Sequence, residues 1–226
     1  MTRIIAGAAG SLTLDVPSRG TRPTSDRVRE SLFAALHAAD AIRGARVLDL
    51  FAGSGALGLE ALSRGATRVD LVEKEPRAAA IARSNSERVT RAVAGQSVAP
   101  RNGATGTAAP EDGVEHWVEV HRIAADTFLS KLVASITSAT PRRTAGEPDP
   151  ERYQLVFVDP PYDFTESALS RTLELLLPAL ADGARVIVER STRSPQPQTS
   201  NALRLTRSQR YGDTTLWWFS TGDHHI

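Results

Sequence analysis

Hydrophobic and polar residues follow two periods along this chain, and their succession predicts strands that alternate with helices. Helical spacing is clear in Val28, Leu32, Leu36 and Ala39, whereas other apolar residues form the short unbroken runs of buried strands. These runs predict five strands, over residues 46–50, 69–72, 117–123, 155–158 and 184–189. Because strand–helix repeats are typical of a mainly parallel sheet with helices on both faces, we expect an α/β fold.

Helices are expected between the strands. The glycine-rich residues after the first strand lead into a helix that runs through Leu62, and Pro76 opens the next helix, which extends to about Thr90. Proline suits a first helical position because the amide hydrogen it lacks would have no partner there. The later helices are expected over residues 127–136 and around Leu169, Leu173, Leu176 and Leu180.

The N-terminal residues depart from this alternation. β-prone runs over residues 3–6 and 12–16 are separated by a glycine-containing stretch, which predicts a hairpin with a loose loop. A turn-rich basic stretch follows. The first helix is then expected to start near Thr24 or Ser25, since either hydroxyl can cap it.

The chain closes with a second hairpin pattern. Residues 203–210 and 214–220 predict two antiparallel strands, with Gly212-Asp213 at the turn between them. Two other stretches, residues 91–115 and 137–151, are rich in Ala, Gly, Thr, Pro and Arg. Their composition predicts mobile insertions in the α/β core.

Composition narrows the possible chemistry by exclusion. The 226 residues are 41% hydrophobic and 23% charged, as in ordinary globular proteins that can bury a core. The absence of cysteine excludes disulfides, thiolate zinc sites and a cysteine nucleophile, and the five histidines show no metal-ligand spacing, so no metal is expected. No apolar run is long enough for a membrane and the N-terminus is a poor signal peptide, so a cytoplasmic location is expected.

Arginine dominates the basic residues. Net charge is only +1, but Lys74 and Lys131 are the two lysines among 27 basic residues. The planar guanidinium fork of arginine suits phosphate groups and base edges. Arginine-rich composition also arises in GC-rich genomes, so this feature alone leaves nucleic-acid binding open.

A glycine loop joins the first predicted parallel strand to its helix. In the run from Asp49 to Gly58, Gly53, Gly55 and Gly58 satisfy the pattern G-x-G-x-x-G. The first two glycines let a ligand approach the backbone closely, and the third permits close packing of helix on strand. The loop alone is compatible with nicotinamide, flavin or S-adenosylmethionine, and any tight strand–helix turn favours glycine.

Two acidic residues follow later strands. Glu73 ends the second strand about 20 residues past the glycines, where a carboxylate can accept both hydrogens of a ribose diol. Because side chains alternate between the two faces of a strand, Asp70 is expected to point away from Glu73 and the loop. Glu75 is expected to cap the next helix. Asp126 follows the third strand and can receive an adenine amino hydrogen or, alternatively, cap the helix at Thr127.

The turn Asp159-Pro160-Pro161-Tyr162 follows the apolar strand over 155–158. Its two prolines stiffen the backbone and remove two donors. Asp159 and the carbonyl of Pro160 offer acceptors, and Tyr162 offers a flat face, which together suit a planar ring that bears an NH₂ group. Because both loops follow strand ends in the centre of the sheet, this turn is expected beside the glycine loop.

These motifs resemble known enzymes in their order along the chain. A glycine loop, an acidic strand end, an acid after strand three and Asp-Pro-Pro-Tyr after strand four are similar to class I S-adenosylmethionine-dependent amino-methyltransferases. Three stretches further resemble the bacterial 16S ribosomal RNA (guanine(966)-N2)-methyltransferase family: Arg3 to Gly7, Arg22 to Phe33, and Phe51 to Ala66. The resemblance covers nearly the whole chain apart from residues 91–115 and 137–151.

The resemblance implies a Rossmann-like, seven-stranded sheet with an antiparallel final hairpin, plus a small N-terminal hairpin. It divides the chain into an RNA-facing extension over residues 1–24 and a methyltransferase domain over 25–226. It also implies S-adenosylmethionine as cofactor and, as substrate, one guanine of 16S rRNA in an assembled or partly assembled 30S subunit. We expect a monomer.

The resemblance assigns roles to the site residues. It implies a cofactor held by the glycine loop, with Glu73 on the ribose and Asp126 near adenine; the loop residues are Asp49, Ala52, Gly53 and Gly55. The guanine would lie between Asp159, the Pro160 carbonyl and Tyr162. Acceptors on its NH₂ would turn the nitrogen lone pair toward the methyl group, and Asp159 or water would take the proton.

RNA contacts are expected from the basic residues near the N-terminus. The expected contacts are Arg3, Arg19, Arg22 and Thr24, and phosphate binding by such residues is salt-dependent. Arg27 and Arg29 either join them or form a solvated helix face. The stretch from Arg190 to Gly212, with five arginines and no acid, is a further candidate.

Three other functions compete with this interpretation. The same chemistry could act on DNA adenine or cytosine or on a protein glutamine, although glutamine enzymes favour Asn where this chain has Asp159. A nicotinamide dehydrogenase would leave the proline turn unexplained, and the missing cysteine argues against C5-pyrimidine methylation. A non-catalytic RNA-binding assembly factor on the same fold is the third alternative.

Overall fold

A seven-stranded sheet forms the centre of the molecule in the computed structural model, which describes residues 2–17, 25–96, 116–138 and 152–222. In chain order the elements are β1 (Thr2–Arg3), β2 (Thr13–Leu14), α1 (Asp26–Ala38), β3 (Arg46–Asp49), α2 (Ala56–Ser63), β4 (Arg68–Val72), α3 (Pro76–Gln96), β5 (Trp117–His121), α4 (Ala125–Ser138), β6 (Tyr153–Val158), α5 (Glu166–Leu176), a 3₁₀ turn (Leu177–Ala179), β7 (Leu180–Ser191), β8 (Arg204–Tyr211) and β9 (Thr214–Ser220).

The strands lie in the order β5-β4-β3-β6-β7-β9-β8. The first five are parallel, and β9 runs antiparallel to both β7 and β8. The α/β sheet with an antiparallel final hairpin expected from the sequence is therefore confirmed. The chain builds outward from β3 to β5 and then returns to the other side of β3 with β6, so the strand order reverses between β3 and β6. Ligands of open α/β sheets bind at such a reversal.

Both faces of the sheet are covered by apolar side chains. On one face, Leu32 and Phe33 of α1 and Leu59 and Leu62 of α2 pack with β-strand residues such as Val47. On the other face, α4 and α5 contribute a second cluster that includes Leu129, Leu169 and Leu173. Burial on both faces explains why the central strands β6 and β7 carry consecutive apolar residues, whereas the edge strand β5 alternates and is partly exposed.

The N-terminal hairpin forms a separate two-stranded sheet, β1 with β2, as expected. Its strands are shorter than predicted, because residues 5–9 instead pack on α2. There Glu60 accepts the amide hydrogens of Ile5 and Ala6 at 2.6 and 3.1 Å, and the Ser63 carbonyl accepts that of Ala8 at 2.7 Å. Gly7 lies so close that a Cβ there would come within 1.9 Å of the Ser63 oxygen.

Helix α1 begins as the capping pattern predicts, since the Ser25 hydroxyl accepts the amide hydrogen of Val28. Both expectations for Arg29, an RNA contact or a solvated face, are wrong. Its side chain is buried and donates to the Thr2 hydroxyl, the Arg3 carbonyl and Asp26, which ties β1 to α1. Arg27 of the same helix is exposed.

Helices α3 and α4 are longer than the sequence predicts. Helix α3 continues past Thr90 to Gln96 because Val89 and Val93 extend its buried face, so the start of the predicted insertion 91–115 is helical. Likewise α4 begins at Ala125 and extends to Ser138, which takes the first two residues of the predicted insertion 137–151 into a helix. The remainder of both insertions lies outside the described residues.

Leu180 was expected in the fifth helix, but it begins β7. Pro178 lies in the 3₁₀ turn that follows α5, where its missing amide hydrogen ends the regular helix. Strand β7 consequently starts four residues earlier than predicted and pairs with β6 through an irregular register near Tyr153. None of the helices in the described part of the chain combines the length and apolarity needed to cross a membrane.

Candidate active site

The glycine loop lies at the carboxyl end of β3 and is held to the neighbouring strand. The amide of Ala52 donates to the Val72 carbonyl at 3.0 Å, and Gly55 donates back to the Ala52 carbonyl at 2.7 Å. Gly53 and Gly55 both adopt positive φ angles, +55° and +83°, which favour glycine. A Cβ on Gly53 would meet no described atom within 4 Å, so open space lies beside this residue.

Gly58 serves packing, as the sequence pattern predicts. A Cβ at this position would lie 2.4 Å from Leu71 Cδ2 and 2.9 Å from Val69 Cγ1. Because Leu71 and Val69 belong to β4, only glycine lets the start of α2 lie this close to the sheet. The close packing places the helix N-terminus directly at the loop.

Glu73 faces the glycine loop at the end of β4. Its Oε2 accepts the amide hydrogen of Gly53 at 3.0 Å, and its Oε1 accepts that of Glu75 at 2.8 Å. Glu75 itself accepts the amide hydrogen of Ala78 at 2.7 Å, which confirms that it caps α3. Glu73 is half-buried, and each carboxylate oxygen retains capacity for a further donor.

Asp49 lies beneath the loop and is almost completely buried. Its Oδ2 accepts the amide hydrogen of Gly58 at 3.2 Å, whereas Oδ1 is buried and has no hydrogen-bond partner among the described residues. Burial raises the pKa of Asp49 to about 7, the nearby Glu73 charge adds to this rise, and the backbone amides of Gly58 and Phe51 oppose it. Asp49 therefore places a buried, titratable carboxyl beneath the glycine loop.

The Asp159–Tyr162 turn adjoins the glycine loop. Strands β3 and β6 are neighbours, and the amide of Leu50 donates to the Phe157 carbonyl at 3.0 Å. Beyond the strand ends, the rings of Phe51 and Phe164 meet edge to face with centroids 5.1 Å apart. The two motifs therefore follow neighbouring strand ends and lie side by side, and the glycine loop contacts the segment just after the turn.

The turn exposes its aromatic ring and shields its proline. Tyr162 is 72% exposed, the largest exposure of any bulky apolar or aromatic side chain in the described residues, whereas Pro160 is buried. Within the described ranges no donor reaches the Pro160 carbonyl. Asp159 is half-buried. The turn thus offers a carboxylate, a carbonyl and an exposed ring next to the glycine loop.

Arg190 of β7 fixes the exit from this turn. Its buried guanidinium donates to the Phe164 carbonyl at 2.8 Å and to the Glu166 carboxylate, while Phe164 donates its own amide hydrogen to the Pro161 carbonyl at 2.9 Å. Sequence reasoning placed Arg190 in a basic stretch that was a candidate for RNA binding. In the structure Arg190 is buried and binds the segment that follows the turn.

Asp126 lies in the first turn of α4 rather than before it, so the expectation that it caps a helix starting at Thr127 is wrong. Its Oδ1 accepts the hydroxyl hydrogen of the buried Thr172 at 2.7 Å, and Oδ2 lies 3.7 Å from Arg171. The carboxylate is thus directed toward α5 and remains partly exposed.

Asp70 points away from the loop, as alternation predicts. It accepts from Tyr153 at 2.9 Å and lies 2.8 Å from His121 and 3.5 Å from Arg46. Burial tends to raise the pKa of Asp70, but His121 and Arg46 bring it below its ordinary value, and burial beside Asp70 raises the pKa of Tyr153. Asp70, His121 and Glu119 cluster closely, and Tyr153, Arg46 and Arg68 complete a buried network of hydrogen bonds and ion pairs around Asp70.

Sequence reasoning missed Asn85 of α3. This buried amide contacts both the glycine loop and the segment after β2. The sequence does carry a sign of this role, because Asn85 is a polar residue at a buried position of the helical stripe formed by Ala82, Val89 and Val93. Of the predicted RNA contacts, Arg3 is exposed on β1, whereas Arg19, Arg22 and Thr24 lie outside the described residues.

The chain is similar to several known proteins. A family model described as "Conserved hypothetical protein 95" matches residues 2–109 and 121–220. The Bacillus subtilis protein named "Putative rRNA methyltransferase YlbH" is 29% identical over 215 residues, which cover 94% of this chain and 95% of that protein. The "Ribosomal RNA small subunit methyltransferase D" of Escherichia coli K12 is 57% identical over 74 residues, which cover 32% and 36%.

Solved structures extend the similarity to the fold. The structure named "Putative methyltransferase yhhF from Escherichia coli" is 28% identical in sequence and superposes with a TM-score of 0.69. The match covers 98% of this chain and 98% of that one. The two chains therefore share their fold over nearly their whole lengths.

Proposed function

Since this chain belongs to the family described as Conserved hypothetical protein 95, in agreement with the resemblance drawn from its sequence, we propose that it methylates RNA. Specifically, we propose transfer of a methyl group from S-adenosylmethionine to the exocyclic N2 of a guanine in 16S rRNA. The relatives named as rRNA methyltransferases support the reaction class. The proline turn supports an amino-bearing ring as the target, and the choice of guanine N2 is what the family resemblance implies.

One observation carries the proposal. The β3–β6 pairing sets a nucleoside-type glycine loop beside a turn built of acceptors and an exposed ring, and Phe51 of the loop meets Phe164, two residues past the turn, edge to face. Methyl transfer by displacement requires the donor carbon and the acceptor nitrogen to be held in line and in contact. Two binding loops that lie side by side at the reversal of strand order support this arrangement.

The residues at the glycine loop fit S-adenosylmethionine. We assign the ribose diol to Glu73, whose carboxylate already faces the open space beside Gly53. Ala52 and Gly55 hold the loop in the shape that exposes its backbone. Oδ1 of Asp49, which has no hydrogen bond of regular geometry among the described residues, is a buried acceptor for a donor of the bound cofactor, and an ionised carboxylate there suits a cationic amine.

We assign the adenine amino group to Asp126. The residue belongs to the helix that follows β5, and Thr172 holds its carboxylate at Oδ1. Among the described residues, the exposed Arg171 at 3.7 Å is the charged neighbour of Oδ2, so this oxygen can accept a further hydrogen. In this assignment the hydrogen bond from Thr172 orients the Asp126 carboxylate and leaves Oδ2 able to accept the adenine hydrogen.

Bound in this site, S-adenosylmethionine supplies a methyl group on a sulfonium; transfer forms a carbon–nitrogen bond, breaks a carbon–sulfur bond and releases one proton. An amine conjugated to a purine is a poor nucleophile, because its lone pair is shared with the ring. Hydrogen bonds from that NH₂ to Asp159 and to the Pro160 carbonyl turn the lone pair out of the ring plane. Asp159 or water takes the released proton.

Tyr162 supplies the surface on which the guanine stacks. Stacking of a base on an aromatic ring needs an exposed face, and Tyr162 is mostly exposed. The guanine must leave its own stack to reach the site, so a loop nucleotide or a flipped base is the expected target. A single aromatic platform with two acceptors selects an amino-bearing ring without reading the surrounding sequence.

We propose that residues 1–24 face the RNA, with contacts from Arg3, Arg19, Arg22 and Thr24. Arg3 is exposed on β1, which Arg29 holds against α1, and Glu60 binds the amide of Ile5 just after this strand. A rigidly attached basic strand suits phosphate binding at a fixed distance from the catalytic loops. In this proposal the protein acts as a monomer in the cytoplasm on 16S rRNA within a 30S particle.

The test is methyl transfer from radiolabelled S-adenosylmethionine to unmodified 30S particles and, separately, to naked 16S rRNA. We expect label in RNA, with a higher initial rate on the particle. Calorimetric titration with S-adenosylmethionine and with NADH separates this function from a dehydrogenase, because only the former should bind. Tight RNA binding without transfer to either substrate would instead identify an assembly factor that has kept the fold.

A further inference from the structure

Asn85 connects two parts of the molecule that are far apart in sequence. Its side chain is fully buried on α3, and its Nδ2 donates to the Ser54 carbonyl at 2.8 Å and to the Asp15 carbonyl at 2.9 Å. Its Oδ1 accepts the amide hydrogen of Asp15 at 3.0 Å. Every hydrogen-bonding group of this buried amide is therefore in use, which is the condition for a stable polar contact in a core.

The first partner belongs to the glycine loop. Ser54 lies between Gly53 and Gly55, the two residues with positive φ. Glu73 holds the loop on one side through the amide of Gly53, and Asn85 holds it on the other through the carbonyl of Ser54. The loop shape that we assign to cofactor binding thus depends on one amide from α3.

The second partner leads into the proposed RNA-facing segment. Asn85 pairs with both backbone groups of Asp15, as a neighbouring strand would, and so fixes the backbone direction just after β2. Arg88 adds a bond to the Asn85 oxygen and an ion pair to the exposed Asp15 carboxylate at 3.0 Å. Asp15 directly follows β2, which pairs with β1 and so with the strand that carries the exposed Arg3.

We propose that Asn85 is a positioning residue that couples cofactor binding to RNA binding. The proposal rests on the function proposed above. A cofactor that orders the glycine loop fixes the Ser54 carbonyl, and the same NH₂ group then holds the Asp15 carbonyl in its RNA-binding position. By linkage, each ligand must raise the affinity for the other by the same factor.

The test measures the Kd of S-adenosylhomocysteine, which cannot react, with and without saturating 30S particles. For the wild-type protein we expect the particle to tighten binding by about fivefold or more, the lower end of ordinary coupling. Asn85→Asp keeps the shape and the acceptor but removes both N–H donors, so we expect its coupling factor to fall to about one. Arg88→Ala, which removes the ion pair to Asp15 but leaves the amide bridge, should retain the wild-type factor.

Hydrogen exchange gives a second readout that needs no variant. In the wild-type protein, the cofactor product should slow exchange of the Asp15 amide, which donates to Asn85. Unchanged exchange at Asp15, absent coupling in the wild type, or full coupling in a folded Asn85→Asp protein would each overturn the inference. A wild-type protein that binds neither ligand would instead refute the proposed function itself.

Discussion

The buried carboxyl of Asp49 makes a specific prediction about stability and pH. An unperturbed aspartate has a pKa of 3.8, whereas burial raises that of Asp49 to about 7. The folded protein therefore keeps this proton over an interval in which the unfolded chain has released it. Because the folded state binds more protons there, the free energy of unfolding contributed by Asp49 falls as pH rises from about 4 to 7.

The magnitude follows from the two pKa values. One pKa unit corresponds to about 1.4 kcal/mol, so ionising Asp49 in the folded, ligand-free protein costs about 4 kcal/mol above pH 7. Between pH 5 and pH 8 the cost grows by about 2.5 kcal/mol, because part of it is already present at pH 5. Asp49→Asn has no proton to lose and should escape this increase.

Urea unfolding followed by circular dichroism at pH 5, 6, 7 and 8 measures the effect. The free energy of unfolding of the Asp49→Asn variant minus that of the wild type should rise by about 2.5 kcal/mol from pH 5 to pH 8. Asp182→Asn, which removes one charge from an exposed position, corrects for the change in net charge. A difference that stays constant with pH would refute the assignment of Asp49 as a buried, near-neutral carboxyl.

Three further predictions concern the proline turn and the glycine loop. Asp159→Ala should lower kcat for methyl transfer by about 10²- to 10⁴-fold while S-adenosylmethionine binding persists, and near-normal turnover would contradict its role. Tyr162→Ala should raise the KM for RNA by about tenfold through lost stacking, whereas Tyr162→Phe should not; equal effects of both would exclude stacking. Gly58→Ala should lower the free energy of unfolding in urea by about 1–3 kcal/mol, because the added Cβ meets Leu71. Gly95→Ala, which has open space around it, should raise that free energy. A change of the same sign in both variants would contradict the close packing of α2 on β4.

The features that the sequence predicts well depend on local chemistry and on the rules of parallel sheets. Glycines after β3, the acid at Glu73 and the proline turn each follow a strand end, and strand ends meet at one edge of the sheet. Their mutual contact could therefore be inferred without coordinates. Caps such as Ser25 and Glu75 were also predictable, because each acts within three residues of its own position.

The features that escaped prediction depend on tertiary contacts. Asn85 finds its partner Asp15 across 70 residues, and Glu60 finds Ile5 across 55, so no local pattern indicates either pair. The burial of Arg29 depends on β1 packing against α1, which the chain pattern around Arg29 does not encode. Leu180 fitted a helical period, but the preceding Pro178 ended that helix and released the residue into a strand.

The central claim is that the Asp159–Tyr162 turn presents a guanine NH₂ to a methyl donor held by the adjoining glycine loop. Mass spectrometry of nucleosides, after reaction of 30S particles with S-adenosylmethionine carrying a deuterated methyl group, tests it most directly. We predict a single labelled nucleoside, N2-methylguanosine, which the Asp159→Ala protein does not produce. Label on an adenine, a cytosine or a ring carbon, or the same labelled guanosine from the variant, would contradict the account.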